Sequence, residues 1–346
     1  MSRAAFHLWQ KRLFGDVPTA LLTILLTGLL ITALVPLLRW GIVNASWQGT
    51  SRADCAAGGA CWVFIKARFG QFIYGLYPPG ERWRADLFMA LIGVAIAGIT
   101  VLRGRWRRPT LFAMLCVFPI LGIWLLAGGY GLTPVETRNW GGLTLTLFMS
   151  IYSALIAVPL GILCALGRQS DLPVIRILSV IFIEFWRGVP IIAVIFLASL
   201  LLPLIMPSGV GIDRLTRAVI GLGLVIAAYI AEAVRGGLQS LPKGQAEAAA
   251  ALGLGYWQAT FLIILPQALR VALPAMTNEF ISLVKNTTLV LVVSILDLLG
   301  IAQASLADPN WVGMNMEAYL FAGAIYWFIC FALSRWSRAQ ERNLAH

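Results

Sequence analysis

Apolar residues in this chain come in long unbroken runs, and the polar residues collect between them. The first run, Val17–Leu38, is 22 residues almost without charge. At about 1.5 Å per residue it is long enough to cross roughly 30 Å of hydrocarbon. Seven more segments follow, at about 87–102, 110–129, 143–166, 188–206, 215–234, 280–302 and 318–334. A run this apolar must satisfy its own backbone hydrogen bonds in lipid, which predicts helices, and the alternation of a transmembrane barrel is absent. The pattern predicts an all-α polytopic membrane protein with about eight transmembrane helices, both termini on one side. Arg3, Lys11 and Arg12 precede the first run, as in a secretory signal, but a signal core is only ~7–15 residues. A retained first span is expected.

Composition agrees. Of 346 residues, 60% are hydrophobic and 12% charged, against about 45–50% and 25% in soluble domains. The net charge of +11 would suggest nucleic acid in a soluble protein; here it reports orientation. With a cytoplasmic N-terminus, the inner stretches 1–12, 103–109, 167–176, 235–285 and 335–346 hold 16 of the 26 Lys and Arg. The outer stretches 39–86, 131–140, 207–217 and 303–317 hold nine. The densest cluster, Arg103, Arg105, Arg107 and Arg108, adjoins a span. Both termini are therefore expected in the cytoplasm and no nucleic-acid partner is expected.

Chemistry-bearing residues are sparse. Cys55 and Cys61 share the 39–86 loop, separated by Ala-Ala-Gly-Gly-Ala; in an oxidising compartment a bridge and two free thiols both remain open. Cys116, Cys164 and Cys330 fall in apolar runs and read as packing residues. The only histidines, His7 and His346, stand at opposite ends, so no metal site is expected. A P-loop needs Lys followed by Ser or Thr. Lys11, Lys66, Lys243 and Lys285 are followed by Arg, Ala, Gly and Asn, so the chain has no Walker A motif.

The stretch 235–285 is the exception among the spans. Glu247-Ala248-Ala249-Ala250-Ala251-Leu252 favours helix and is followed by Gly253 and Gly255. An apolar run, Phe261–Pro266, comes next, with a second stop expected at Pro274. By composition alone this reads either as an amphipathic surface helix or as a docking protrusion. The spacing Glu247-Ala248-Ala249, Gly253, Ile263, Leu265-Pro266 resembles the EAA signature of ABC-importer permeases. Phe185-Trp186-Arg187-Gly188-Val189-Pro190, Pro242-Lys243-Gly244-Gln245 and Leu283-Val284-Lys285-Asn286-Thr287-Thr288-Leu289 extend the likeness to the polar amino-acid permeases. The preceding helices and the Trp-rich 39–86 loop resemble the M-type permease subunit of general L-amino acid importers.

The resemblance implies an N-terminal extension over 1–139, with three helices and a periplasmic loop at about 39–86. It implies a five-helix type I ABC importer (MetI-like) core over 140–346, with a cytoplasmic EAA loop at about 235–278. Glu247, Ala248, Ala249, Gly253, Ile263, Leu265 and Pro266 would be the coupling residues. Implied partners are a cytoplasmic ABC ATPase dimer, a second and paralogous permease subunit, a periplasmic amino-acid-binding protein, the amino-acid substrate and membrane lipid. No cofactor is expected in this chain, since ATP and Mg would sit on the ATPase subunits. The implied location is the bacterial inner membrane, and the implied role is a non-enzymatic permease subunit of an amino-acid importer. An ion-coupled secondary transporter is the alternative; it predicts inverted halves, which are not evident.

Charge at the centre of a span costs roughly 2.5–3.5 kcal/mol on insertion scales. Glu184 with Arg187 and Glu232 with Arg235 each fall i, i+3 on one helical face. They either line or gate the substrate path or neutralise each other near a helix end. Asp297 lies in an apolar run without a cation at helical spacing, placing it at the pathway mouth or in a bond to a neighbouring helix. Asn278, Glu279 and Lys285 are gate or scaffold candidates where the chain re-enters the membrane.

Overall fold

The computed structural model describes residues 13–101, 116–205 and 211–344. His7, His346, the Arg103–Arg108 cluster and the first part of the 110–129 segment lie outside these. The described residues are helical and turn-connected, with only isolated bridges and no extended strands. In chain order the helices are α1 (Val17–Leu38), α2 (Trp62–Tyr74), α3 (Arg82–Val101), α4 (Phe118–Ala127), α5 (Gly142–Arg168) and α6 (Pro173–Gly188). They continue with α7 (Ile191–Ile205), α8 (Arg214–Gln239), α9 (Gly244–Ala251), α10 (Tyr256–Val293), α11 (Leu298–Ser305) and α12 (Asn315–Leu344).

Among the described residues, five helical segments are long and apolar enough to cross a membrane, six if the bent pair α6–α7 is one span. The count of eight is not confirmed among the described residues, and several departures have a local cause. The 188–206 segment is the second arm of a helix pair bent by 100°. Pro190 lacks an amide, and Val189 before it is extended (φ −89°, ψ 131°), so the helix cannot run through. The 280–302 segment breaks after Val293, where Ser294 is left-handed (φ 58°). Pro274, expected as a stop, lies inside α10; it forfeits only the bond to the Arg270 carbonyl, and Arg270 is exposed. The 87–102 segment starts earlier, at Arg82, and Arg84 is 1% exposed. Its guanidinium pairs with Glu81 at 2.6 Å and donates to the Thr133 carbonyl at 2.7 Å, so this positive charge is internal. Cys116 is exposed rather than packed.

Two compact units divide the described chain. The larger takes Phe69–Ser305 with Tyr319 onward. Its core is α8 packed between α5 and α10, with Leu222, Val225, Ile230 and Val234 fully buried. Close approach of α5 and α8 depends on Gly161, where a Cβ would fall 2.8 Å from the Ala227 carbonyl. Ser153 Oγ donates across the same contact to the Val219 carbonyl at 3.0 Å. α8 starts at Asp213, whose carboxylate accepts from the Leu215 and Thr216 amides at 3.0 and 3.3 Å.

The smaller unit comprises the chain up to Arg68 together with Leu306–Ala318. α1 is capped by Asp16, whose carboxylate accepts from the Thr19 amide at 3.1 Å, and none of its residues is buried. The unit's packed part lies elsewhere. Phe64 and Trp311 rings meet at 5.6 Å, and Ser46 pairs with the Ala60–Trp62 strand-like turn through bonds of 2.8 and 3.0 Å. Asp54 accepts from the Thr50 and Ser51 amides at 2.8 and 2.9 Å, which holds its carboxyl below the usual range.

Candidate functional site

The EAA segment folds into α9 and the first turns of α10. Sequence Gly244–Ala251 is GQAEAAAA, close to the best helix-forming composition. α9 ends in a paired cap: the Leu254 amide donates to the Ala249 carbonyl at 3.1 Å and the Gly253 amide to the Ala250 carbonyl at 2.9 Å. This arrangement needs a left-handed residue in between, and Gly253 supplies it with φ +75°. Within α9 only Ala249 is buried, at 1% exposure; Glu247 and Ala248 face outward.

Ile263, Leu265 and Pro266 do not belong to a loop, because α10 is already helical from Tyr256. Thr260–Ile264 is a wide turn in which the Leu265 amide reaches back to the Thr260 carbonyl. The wider turn admits the Pro266 ring, whose missing amide would otherwise interrupt a regular helix. Leu265 is buried, Ile263 half-buried and Pro266 exposed. Gln267 ties the segment together by donating to the Ile263 carbonyl at 2.9 Å and to Gln245 on α9 at 3.3 Å. In the sequence Gln245 stands in the Pro242-Lys243-Gly244-Gln245 stretch without a role, and nothing marks Gln267 as its partner, 22 residues away. Beside α9 lies an exposed apolar set, Leu252, Tyr256, Trp257, Phe261 and Leu262.

The two i, i+3 charge pairs converge on one cluster. Arg168, the last residue of α5, places Nη1 3.1 Å from Glu184 and 2.7 Å from Glu232. Arg235 grips the other Glu232 oxygen at 2.6 Å and donates to Gln239 at 2.9 Å. Arg187 stands 3.9 Å from Glu232 and 4.0 Å from Glu184, with its guanidinium 5.8 Å from the Tyr229 ring centre. Three arginines and two glutamates from α5, α6 and α8 thus share charge. Arg168 was not singled out in the sequence: it is 16 and 64 residues from its partners, beyond the reach of helical spacing.

Asp297 is fully enclosed. It caps α11 by accepting from the Gly300 amide at 2.9 Å. Tyr326 on α12 donates to it at 2.6 Å and Thr287 at 3.3 Å. Its partners are therefore neutral donors, one of them on a neighbouring helix. Asn278, Glu279 and Lys285 on α10 make no side-chain hydrogen bond or ion pair among the described residues, although Glu279 lies within the field of Arg187 in the inner cluster. Cys55 and Cys61 come together as a disulfide with Cα atoms 5.4 Å apart. Among the described residues no group of three His, Cys, Asp or Glu could hold a metal ion.

A short, largely exposed helix beside a bundle of spanning helices is the arrangement expected of a transport permease, and comparison with known proteins identifies the family. Residues 157–346 match the family of binding-protein-dependent transport system inner membrane components, and the chain belongs to that family. It is the membrane subunit of an ABC importer, not itself the ATPase. It is 49% identical over 337 residues to the inner membrane amino-acid ABC transporter permease protein YhdY of Escherichia coli (strain K12), covering 96% of this chain and 91% of that one. It is 37% identical to the glutamate/glutamine/aspartate/asparagine transport system permease protein BztC of Rhodobacter capsulatus, covering 97% and 92%. Among solved structures, a chain from an amino acid ABC transporter crystallised with histidines superposes with a TM-score of 0.52 at 32% identity, covering 58% of this chain and 92% of that one.

Proposed function

We propose that this chain forms one half of the translocation pathway of an amino-acid importer and that α9 transmits the movement of a cytoplasmic ATPase dimer to it. The carrying observation is that α9 is packed at Ala249 alone and held by the Gly253 cap, leaving Glu247 and Ala248 presented outward. Small side chains permit close seating in a groove, and Glu247 offers a charge to a basic partner. Ile263, Leu265 and Pro266 connect that movement to α10 through the Gln245–Gln267 link. Likeness to two amino-acid permeases over nearly the whole chain supports the substrate class.

In this reading residues 140–346 are the permease core and 1–139 an extension. The second permease subunit is a paralogue, a periplasmic binding protein delivers the amino acid, and both termini are cytoplasmic. ATP and Mg belong to the ATPase subunits. Glu184, Arg187 and Glu232 act as a neutralised inner cluster that restrains the helix ends, Asn278, Glu279 and Lys285 border the path, and Asp297 ties the start of α11 to α12. Family membership leaves the ion-coupled alternative without a role for α9.

The test is reconstitution of the chain with its second permease, ATPase and binding protein in liposomes, with labelled amino acid uptake measured with and without ATP. A cysteine replacing exposed Ala248 should crosslink to the ATPase. ATP-independent uptake, or a crosslink absent at Ala248 while uptake proceeds, would overturn the assignment.

A further inference from the structure

The smaller unit carries a cavity that the transport cycle above does not use. It measures about 310 Å³ and is lined by Trp40, Arg52, the loop from Cys55 to Cys61, and Gly313 to Glu317. Small-molecule sites run from roughly 300 Å³ upward, so this one suits a ligand at the small end.

Two charges of opposite sign line it and do not meet. Arg52 makes no side-chain hydrogen bond or ion pair among the described residues, and its Nη2 lies over Gly313, 3.6 Å from where a Cβ would stand. Glu317 is 4% exposed. Its Oε1 accepts from the Cys61 amide at 2.9 Å, and Oε2 takes no hydrogen bond among the described residues. A carboxylate this enclosed is costly without a positive partner. The wall between the two charges is held in shape: Gly59 is seated so tightly that a Cβ would clash with the Asn44 carbonyl, and Cys61 is tied to Cys55. Trp40 closes one side and its ring lies 6.5 Å from that of Trp62.

We propose that this cavity binds a free zwitterionic α-amino acid, its carboxylate on Arg52 and its ammonium on Glu317. A plain anion would satisfy Arg52 alone and a plain cation Glu317 alone; a ligand carrying an ammonium and a carboxylate on one carbon pairs the two at once. The inference rests on the amino-acid reading above and adds to it a second amino-acid site in the N-terminal unit.

The test uses the full chain in nanodiscs and equilibrium binding of radiolabelled L-alanine, L-glutamate and L-lysine. At least one should bind saturably, displaced by the same unlabelled amino acid but neither by its N-acetyl form nor by its carboxamide. Arg52→Gln and Glu317→Gln should each weaken binding at least tenfold. Gln at 317 still accepts from the Cys61 amide, and an intact Cys55–Cys61 disulfide by mass spectrometry checks that the loop has kept its form. Binding unchanged in both variants, or displacement by the N-acetyl amino acid, overturns the proposal. So does absence of saturable binding while ATP-driven uptake by the reconstituted importer persists, and that result leaves the importer reading standing. Absence of amino-acid uptake itself would sink both.

Discussion

Replacing Arg168 by Met removes the hub of the inner charge cluster, and the geometry says how unequally its two arms should respond. The Glu232 arm is a 2.7 Å contact between side chains 26% and 18% exposed. Hydrogen bonds to charged groups in such settings contribute about 1.5–3 kcal/mol. The Glu184 arm is 3.1 Å long and its carboxylate is 54% exposed, the regime where ion pairs contribute about 0.2–1 kcal/mol. Glu232 keeps Arg235 at 2.6 Å after the substitution, so it is not orphaned and the larger penalties of a broken buried pair do not apply. Arg168→Met should therefore cost about 2 kcal/mol, most of it through Glu232. Two double-mutant cycles, with Glu232→Gln and with Glu184→Gln, separate the arms when equilibrium unfolding is followed in mixed micelles. The Glu184 coupling should also fade as salt rises from 0.1 to 1 M and the Debye length drops from about 10 to about 3 Å, while the Glu232 coupling persists. Equal couplings, or a Glu232 coupling below about 0.5 kcal/mol, would refute the reasoning.

Gly253→Ala has open space for the methyl group, so its cost comes from the left-handed φ alone, about 1–2 kcal/mol confined to the end of α9. Insertion should be unchanged and ATP-driven uptake should fall severalfold; full uptake would count against the role given to that cap. Tyr326→Phe removes the 2.6 Å donor to buried Asp297 and should destabilise by about 1.5–3 kcal/mol in thermal unfolding, whereas Tyr319→Phe, at an exposed position, should not. Asp54 has its carboxyl lowered from 3.8 by the Thr50 and Ser51 amides. The turn it holds is stabilised above that ordinary value and loosens only as the pH falls through the lowered one. Exchange protection of those two amides should persist at pH 5 and disappear at strongly acid pH; loss already at pH 5 would contradict the geometry.

The fold class was legible because burial in lipid leaves so little choice: runs of twenty apolar residues have to be helices, whatever they pack against. What misled was treating each apolar run as one straight span. Between α6 and α7 Pro190 turns the axis by 100°, and a missing amide is invisible to an average over side chains. The reverse error occurred at Pro274, read as a stop. A proline interrupts a single carbonyl, and an exposed turn tolerates that loss. Helix α6 went unnoticed because Arg176, Glu184 and Arg187 interrupt its apolar residues, so no uncharged run of spanning length marks it.

The charge cluster shows where sequence reasoning must stop for a physical reason rather than for want of care. Helical spacing correctly paired Glu184 with Arg187 and Glu232 with Arg235, because those contacts lie within one turn of one helix. It had no means of choosing between a pathway and a local neutralisation, since that depends on what the other helices bring to the same place. Arg168 supports the neutralisation proposed above: one guanidinium bonds both glutamates, so neither carboxylate stands unpaired, and a zwitterion would have to displace an existing cation to bind there. Asp297 follows the same logic with the opposite partner chemistry. It satisfies its oxygens with a hydroxyl from α12 and an amide of its own helix, and so needs no cation at the spacing where one was sought.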